Sequence, residues 1–152
     1  MKRGIILSVL LMLLVVVTGC GSKSNTLTCT RKGTVTEGTT YDYKYVVKYS
    51  GDYVDEINIT EQIKSNNPEY LKTLKTAVES IYAPYDGIEY HNYDVEIKGD
   101  RLISHRDINY KKIDTDKLIE ADSSNSSLIK NGKVKLADVK KIYQNDLNLE
   151  CK

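Results

Sequence analysis

The chain has no tryptophan and no phenylalanine, two prolines, two histidines, three cysteines and a formal net charge of only +1 over 152 residues. Each shortage excludes something. Without Trp or Phe, a core must be built from aliphatic side chains and the twelve tyrosines, whose hydroxyls each need a partner once buried. Two histidines offer few metal ligands or general bases. Neither His91 nor His105 sits in a Gly-x-Ser-x-Gly elbow or a His-Glu-x-x-His helix, so no catalytic frame and no cofactor or metal is expected. The 22 bases and 21 acids are interspersed, which leaves no basic stripe for phosphates and excludes nucleic acid as an expected partner.

Long apolar runs are also scarce, and the single one stands at the start. Met1-Lys2-Arg3 places two positive charges ahead of residues 5–17, thirteen positions interrupted only by Ser8. That is the layout of a secretion signal. A helix of that length rises about 20 Å, short of a hydrocarbon core of about 30 Å, so a permanent span is not expected. The run ends Val17-Thr18-Gly19-Cys20, which resembles the lipobox of bacterial lipoproteins. The resemblance implies cleavage after Gly19 and a diacylglycerol thioether on Cys20, a firmer hold on a bilayer than a single acyl chain gives. The expected organisation is a signal peptide at 1–19, a lipidated N-terminus and short tether at 20–26, and one domain at 27–152. The expected address is the cell membrane, lipid-anchored on the extracytoplasmic side. Loss of Lys2 and Arg3 leaves 20 bases against 21 acids, so the lipid rather than charge provides the membrane contact.

With Cys20 committed to lipid, Cys29 and Cys151 remain near the two ends of the mature chain, in a compartment that permits oxidation. A disulfide between them is expected; two buried free thiols are the competing reading. Cys29 follows Leu27 at a two-residue step, and Cys151 follows Leu147 and Leu149 likewise, which places each cysteine on the inward face of a terminal strand. A bond requires adjacent strands and Cα atoms about 4.4–6.8 Å apart. Closing so long a loop is worth about 4–5 kcal/mol in the chain-entropy model.

Tyr41, Tyr43, Tyr45, Val47 and Tyr49 alternate with Asp42, Lys44, Val46 and Lys48, Ser50-Gly51-Asp52 turns the chain, and Tyr53 to Ile63 returns, so residues 41–63 read as a β-hairpin. Asn67-Pro68-Glu69 is a helix start, and Tyr70, Leu71, Leu74, Ala77, Val78, Ile81 and Tyr82 form one stripe that ends before Pro84. A second hairpin follows, from His91 through Gly99-Asp100 to residue 110. Residues 121–127 read as an exposed serine loop. Leu136, Val139, Ile142 and Tyr143 mark a short helix, and a last strand lies around 147–151. Hairpins separated by two helices predict an α+β domain, an antiparallel sheet with two helices on one face.

The run Tyr82-Ala83-Pro84-Tyr85-Asp86-Gly87-Ile88, then Tyr90-His91, the hairpin around Gly99-Asp100 and Ile108-Asn109-Tyr110-Lys111-Lys112-Ile113-Asp114 resembles the YehR-like family of small bacterial lipoproteins. The likeness is clearest over residues 82–120. It implies an α+β fold and a lipid anchor, and it brings no catalytic residue.

Two sites merit naming. The row Tyr41, Tyr43, Tyr45 and Tyr49 could form an aromatic surface for a sugar or peptide; the alternative is that this row is the core side of the sheet, under a helix. His91 and His105 could serve a hydrolase or metal-dependent enzyme only if the hairpin sets them side by side. Asp114-Thr115-Asp116, with Glu120 and Asp122, reads as a solvated acidic turn, since the glycine of a calcium loop is missing. The expected role is non-enzymatic: an anchored lipoprotein that binds an envelope protein, a peptide or a wall polymer, or serves structurally. Cys20→Ala should abolish incorporation of radiolabelled palmitate in growing cells, because no other residue can form the thioether. Persistent label would refute the lipobox assignment.

Overall fold

The computed structural model describes residues 24–152. The expected signal at 1–19, Cys20 and the first tether residues lie outside the described residues. Strand β1 (Asn25–Thr36), strand β2 (Thr39–Ser50) and strand β3 (Tyr53–Ser65) form a meander. Two-residue turns at Glu37-Gly38 and Gly51-Asp52 connect them, with Gly38 and Gly51 at positive φ. Helix α1 (Pro68–Tyr82) follows, then a 3-10 turn at Ala83–Tyr85 and the hairpin of β4 (His91–Lys98) and β5 (Arg101–Asn109). The helix begins where the sequence places it: the Asn67 side chain accepts from the Tyr70 amide at 3.1 Å, Pro68 takes the first position and Glu69 lies in the first turn.

The remaining chain holds helix α2 (Thr115–Ala121), a 3-10 turn at Ser123–Ser127, the small hairpin β6 (Ile129–Lys130) and β7 (Lys133–Val134), helix α3 (Leu136–Lys141) with a π-helical turn at Ile142–Asp146, and strand β8 (Glu150–Cys151). Three helices cover the sheet, not the two expected. The expected acidic turn is the start of α2: the Asp114 carboxylate accepts from the Asp116 amide at 3.1 Å and caps it. The serine loop is likewise ordered, because Asp122 accepts from the Ser124 amide at 2.9 Å and Ser126 and Ser127 donate back to the carbonyls of Ser123 and Ser124. Among the described residues no helix is long and apolar enough to cross a membrane.

The main sheet is six-stranded and antiparallel throughout, in the order β4-β5-β3-β2-β1-β8. Its register sorts side chains into rows that run across five strands, and alternate rows face opposite sides. One inward row is Leu27, Val47, Ile57, Ile108 and His91; the next is Cys29, Tyr45, Ile59, Arg106 and Tyr93. Then come Arg31, Tyr43, Glu61, Ser104 and Val95, and finally Gly33, Tyr41, Ile63, Leu102 and Ile97. The helices share this side. The C-terminal elements contribute Leu118, Val134, Val139 and Tyr143 to a cluster on Val47, Ile57 and Ile108. Leu71, Leu74 and Val78 of α1 join a second cluster on Val95, Leu102 and Ile63. The opposite side is polar, knitted by cross-strand pairs such as Lys32–Asp42, Lys48–Glu56 and Thr60–His105.

Cys29 and Cys151 are bonded to each other. The backbone amides and carbonyls of Thr28 and Lys152 exchange hydrogen bonds at 2.8 and 2.9 Å, so the adjacent pair Cys29 and Cys151 falls in the narrow position of the antiparallel ladder, with Cα atoms 4.0 Å apart. The distance is a little below the window expected from sequence. The last strand is shorter than predicted. Asn148 takes φ 51°, which breaks the alternation, so Leu149 is buried whereas Leu147 is 38 % exposed instead of facing inward.

Candidate functional site

The tyrosine row is covered at Tyr45 and half-buried at Tyr41, Tyr43 and Tyr49. Tyr45 is 7 % exposed and meets the Tyr143 ring edge-on at 5.0 Å, while Tyr43 and Tyr49 pack against the same core. Tyr41 lies at the far end of the row, its ring against Gly33 where a Cβ would clash, with the Arg31 guanidinium 5.3 Å from its centroid. The physical reason is composition: a chain with no other aromatic residue uses Tyr45, and one side of Tyr43 and Tyr49, to build its interior.

What the sequence pattern missed is polar. On the covered side, Glu61 stands between Ile59 and Ile63 of β3, and Ser104 and Arg106 stand between Leu102 and Ile108 of β5. These inward positions lie between the two apolar clusters, so the helical layer divides there. A charged residue at a period-two inward position, flanked by apolar ones, was the available signal.

Arg106 is held tightly. Its Nε donates to His91 Nε2 at 3.0 Å, and its guanidinium carbon lies 5.2 Å from the ring centroids of both Tyr82 and Tyr85. Tyr85 stacks on His91 with centroids 4.7 Å apart and planes 15° from parallel. Because an arginine Nε always carries its hydrogen, His91 Nε2 is the acceptor and the ring proton sits on Nδ1. Burial, and next the Arg106 charge, push the His91 pKa down from 6.5 to about 4. His91 Nδ1 is buried and has no hydrogen-bond partner among the described residues. Among those residues no carboxylate forms an ion pair with Arg106.

Beneath the helices a cavity of about 230 Å³ has Ile59, Ile108, Val139 and Ile142 among its walls, with Glu61 and Arg106 as its charged groups. Tyr45, at the same cavity, donates its hydroxyl to the Glu61 carboxylate. Burial, then the Glu61 charge, raises the pKa of the Tyr45 and Tyr82 hydroxyls, and burial raises those of Tyr110 and Tyr143, so the ring of hydroxyls stays protonated. Tyr82, Arg106 and Asn125 also line an adjoining open groove of about 810 Å³ between the end of α1 and residues 120–125. Asn125 Nδ2 donates to the Leu118 carbonyl at 2.9 Å and to Tyr85 Oη at 3.2 Å, fixing that rim.

The two histidines do not come together. His91 is 5 % exposed on the covered side, whereas His105 pairs across the strands with Thr60 and Asp94 on the polar side. Among the described residues no group of three His, Cys, Asp or Glu side chains could hold a metal ion.

No protein-family model matches the chain, and no curated protein does. Solved structures do. The YehR protein of E. coli, determined by NMR, superposes with a TM-score of 0.56 at 15 % identity over 86 % of this chain and 92 % of that one. The fold is YehR-like. The NMR structure of a protein from Streptococcus pneumoniae TIGR4 gives a TM-score of 0.51 at 12 % identity, covering 100 % of this chain and 97 % of its own. At these identities the YehR likeness carries the architecture and nothing about the cleft.

The His91 environment sets a pH dependence. Between pH 6.5 and about 4 the unfolded chain takes up a proton at His91 that the folded chain refuses, so stability falls as pH falls through that window and is untouched by this group above it. The loss amounts to up to about 3 kcal/mol. Urea midpoints from pH 7.5 to 4 should show that decline, and His91→Phe should lack this component. An identical decline in the variant would contradict the neutral, buried imidazole.

Proposed function

We propose that this chain is a lipid-anchored lipoprotein of the YehR-like family, held at the bacterial cell membrane through Cys20, whose domain outside the cytoplasm binds a small ligand without transforming it. The anchor rests on the charged start, the apolar run and Val17-Thr18-Gly19-Cys20. Family membership rests on the resemblance over residues 82–120 together with the YehR-like fold.

The observation that carries the binding reading is Arg106. A half-buried cation loses hydration, and proteins normally compensate it with a carboxylate. Here its direct contacts are two aromatic faces and a neutral imidazole; the Asp122 carboxylate in the same groove feels its charge but does not reach ion-pair distance, so the guanidinium is oriented without a bound anion. It stands where the inner cavity meets the open groove, so an anionic group arriving from outside completes its coordination. A hydrolase using both histidines has no such support, since His91 and His105 lie on opposite sides of the sheet and His91 Nε2 is occupied by Arg106.

The test is to titrate isotope-labelled full-length protein in detergent micelles with the low-molecular-weight fraction of a bacterial envelope extract and follow its amide resonances. Shifts should concentrate at Tyr82, Arg106 and Asn125 and disappear in Arg106→Ala, with the rest of the spectrum retained. Shifts centred on Thr60 and His105, on the polar side, or no shifts at all, would contradict a ligand site in the cleft.

A further inference from the structure

The inner cavity holds one positive and one negative charge, and their placement limits what can occupy it. Ile59 lies opposite Arg106 and Glu61 opposite Ser104, so Glu61 and Arg106 are diagonal neighbours on one face of paired strands. Such residues have Cβ atoms about 7 Å apart, within reach of each other for long side chains. They nevertheless form no ion pair. Each is instead held by neutral partners: Tyr45 donates to Glu61, while His91 and the faces of Tyr82 and Tyr85 hold Arg106. The two charges are positioned rather than paired.

We infer that the cleft binds an apolar α-amino acid as a zwitterion, with its carboxylate on Arg106, its ammonium on Glu61 and its side chain among Ile59, Ile108, Val139 and Ile142. This deepens the binding reading above and rests on it. In such a ligand the two charged groups flank a single carbon, so one small molecule can present both to side chains that are diagonal neighbours on paired strands. The cavity of about 230 Å³ exceeds the ~150 Å³ that admits benzene and falls below the volume of drug-sized sites, which suits a leucine-sized molecule. A plain carboxylate would leave Glu61 uncompensated at the same site, a plain amine would face Arg106, and a residue inside a peptide chain has neither charge. Entry is through the open groove, beside the exposed Ile81.

Isothermal titration calorimetry of the full-length protein in micelles, with leucine, N-acetyl-leucine and leucine methyl ester, decides the matter. Leucine should bind at least about tenfold tighter than either blocked analogue, since each analogue leaves one half-buried charge unmet. Glu61→Gln keeps an acceptor for Tyr45 and should erase the difference between leucine and N-acetyl-leucine. That ratio is read within one folded variant, so a change in its stability does not imitate it. N-acetyl-leucine binding as tightly as leucine to the unmodified protein would overturn the zwitterion while leaving a cleft that binds carboxylates. Failure of all three compounds to bind would also overturn it, and the binding reading would then be decided by the envelope-fraction titration alone.

Discussion

A guanidinium cannot enter an apolar interior uncompensated, and much of this domain follows from placing one on the covered side of a sheet. Arg106 occupies an inward position of β5 because the strand alternates strictly, and its neighbours Leu102 and Ile108 are buried. The helical layer cannot close over it as it closes over Val47 or Leu102. It divides instead, α1 on one apolar cluster and the C-terminal elements on the other. Tyr82 and Tyr85, at and just beyond the end of α1, supply faces that tolerate a cation, and His91 supplies a neutral acceptor. The cleft is the space this arrangement leaves.

The disulfide serves the same geometry from the other edge. Strand β8 contributes only two residues to the sheet, yet the segment before it carries Tyr143 and Leu149 into the larger cluster. The Cys29–Cys151 bond, at a sequence separation of 122, fixes the end of that segment against β1. The chain entropy it removes from the unfolded state is of the order that decides whether a domain of this size is stable. A wall of the cleft is thereby tied to the strand that, in the lipoprotein reading, stands next to the membrane.

Much of the frame was legible in the residues. Two-residue alternation with glycine turns located the hairpins, Asn67-Pro68-Glu69 located α1, and compartment and position paired the cysteines. The misses have physical causes. The stretch from Asp114 to Ser127 is small and polar, and Asp114 and Asp122 serve equally as turn residues or caps; docking of Leu118 and Asn125 onto Tyr85 and the core makes it helical. The second half of β1 has no apolar pattern and owes its strand to pairing with β2. Leu147 broke its periodicity because Asn148 adopts positive φ. The Arg106–His91 link spans fifteen residues and depends on register, which no local pattern reveals. Glu61 stands out in no local pattern, although its parity places it among Ile57, Ile59 and Ile63.

Arg106 is a clamped cation with no ion-paired carboxylate, facing the cleft from beneath two tyrosine rings. Side-chain NMR of the full-length protein reads this directly. The Arg106 Nε–H resonance should be protected from exchange with water, shifted upfield by the ring currents of Tyr82 and Tyr85, and coupled across a hydrogen bond to a His91 Nε2 that carries no proton at neutral pH. An Arg106 signal at the ordinary arginine position in fast exchange, or a His91 ring protonated at pH 7, would contradict the account.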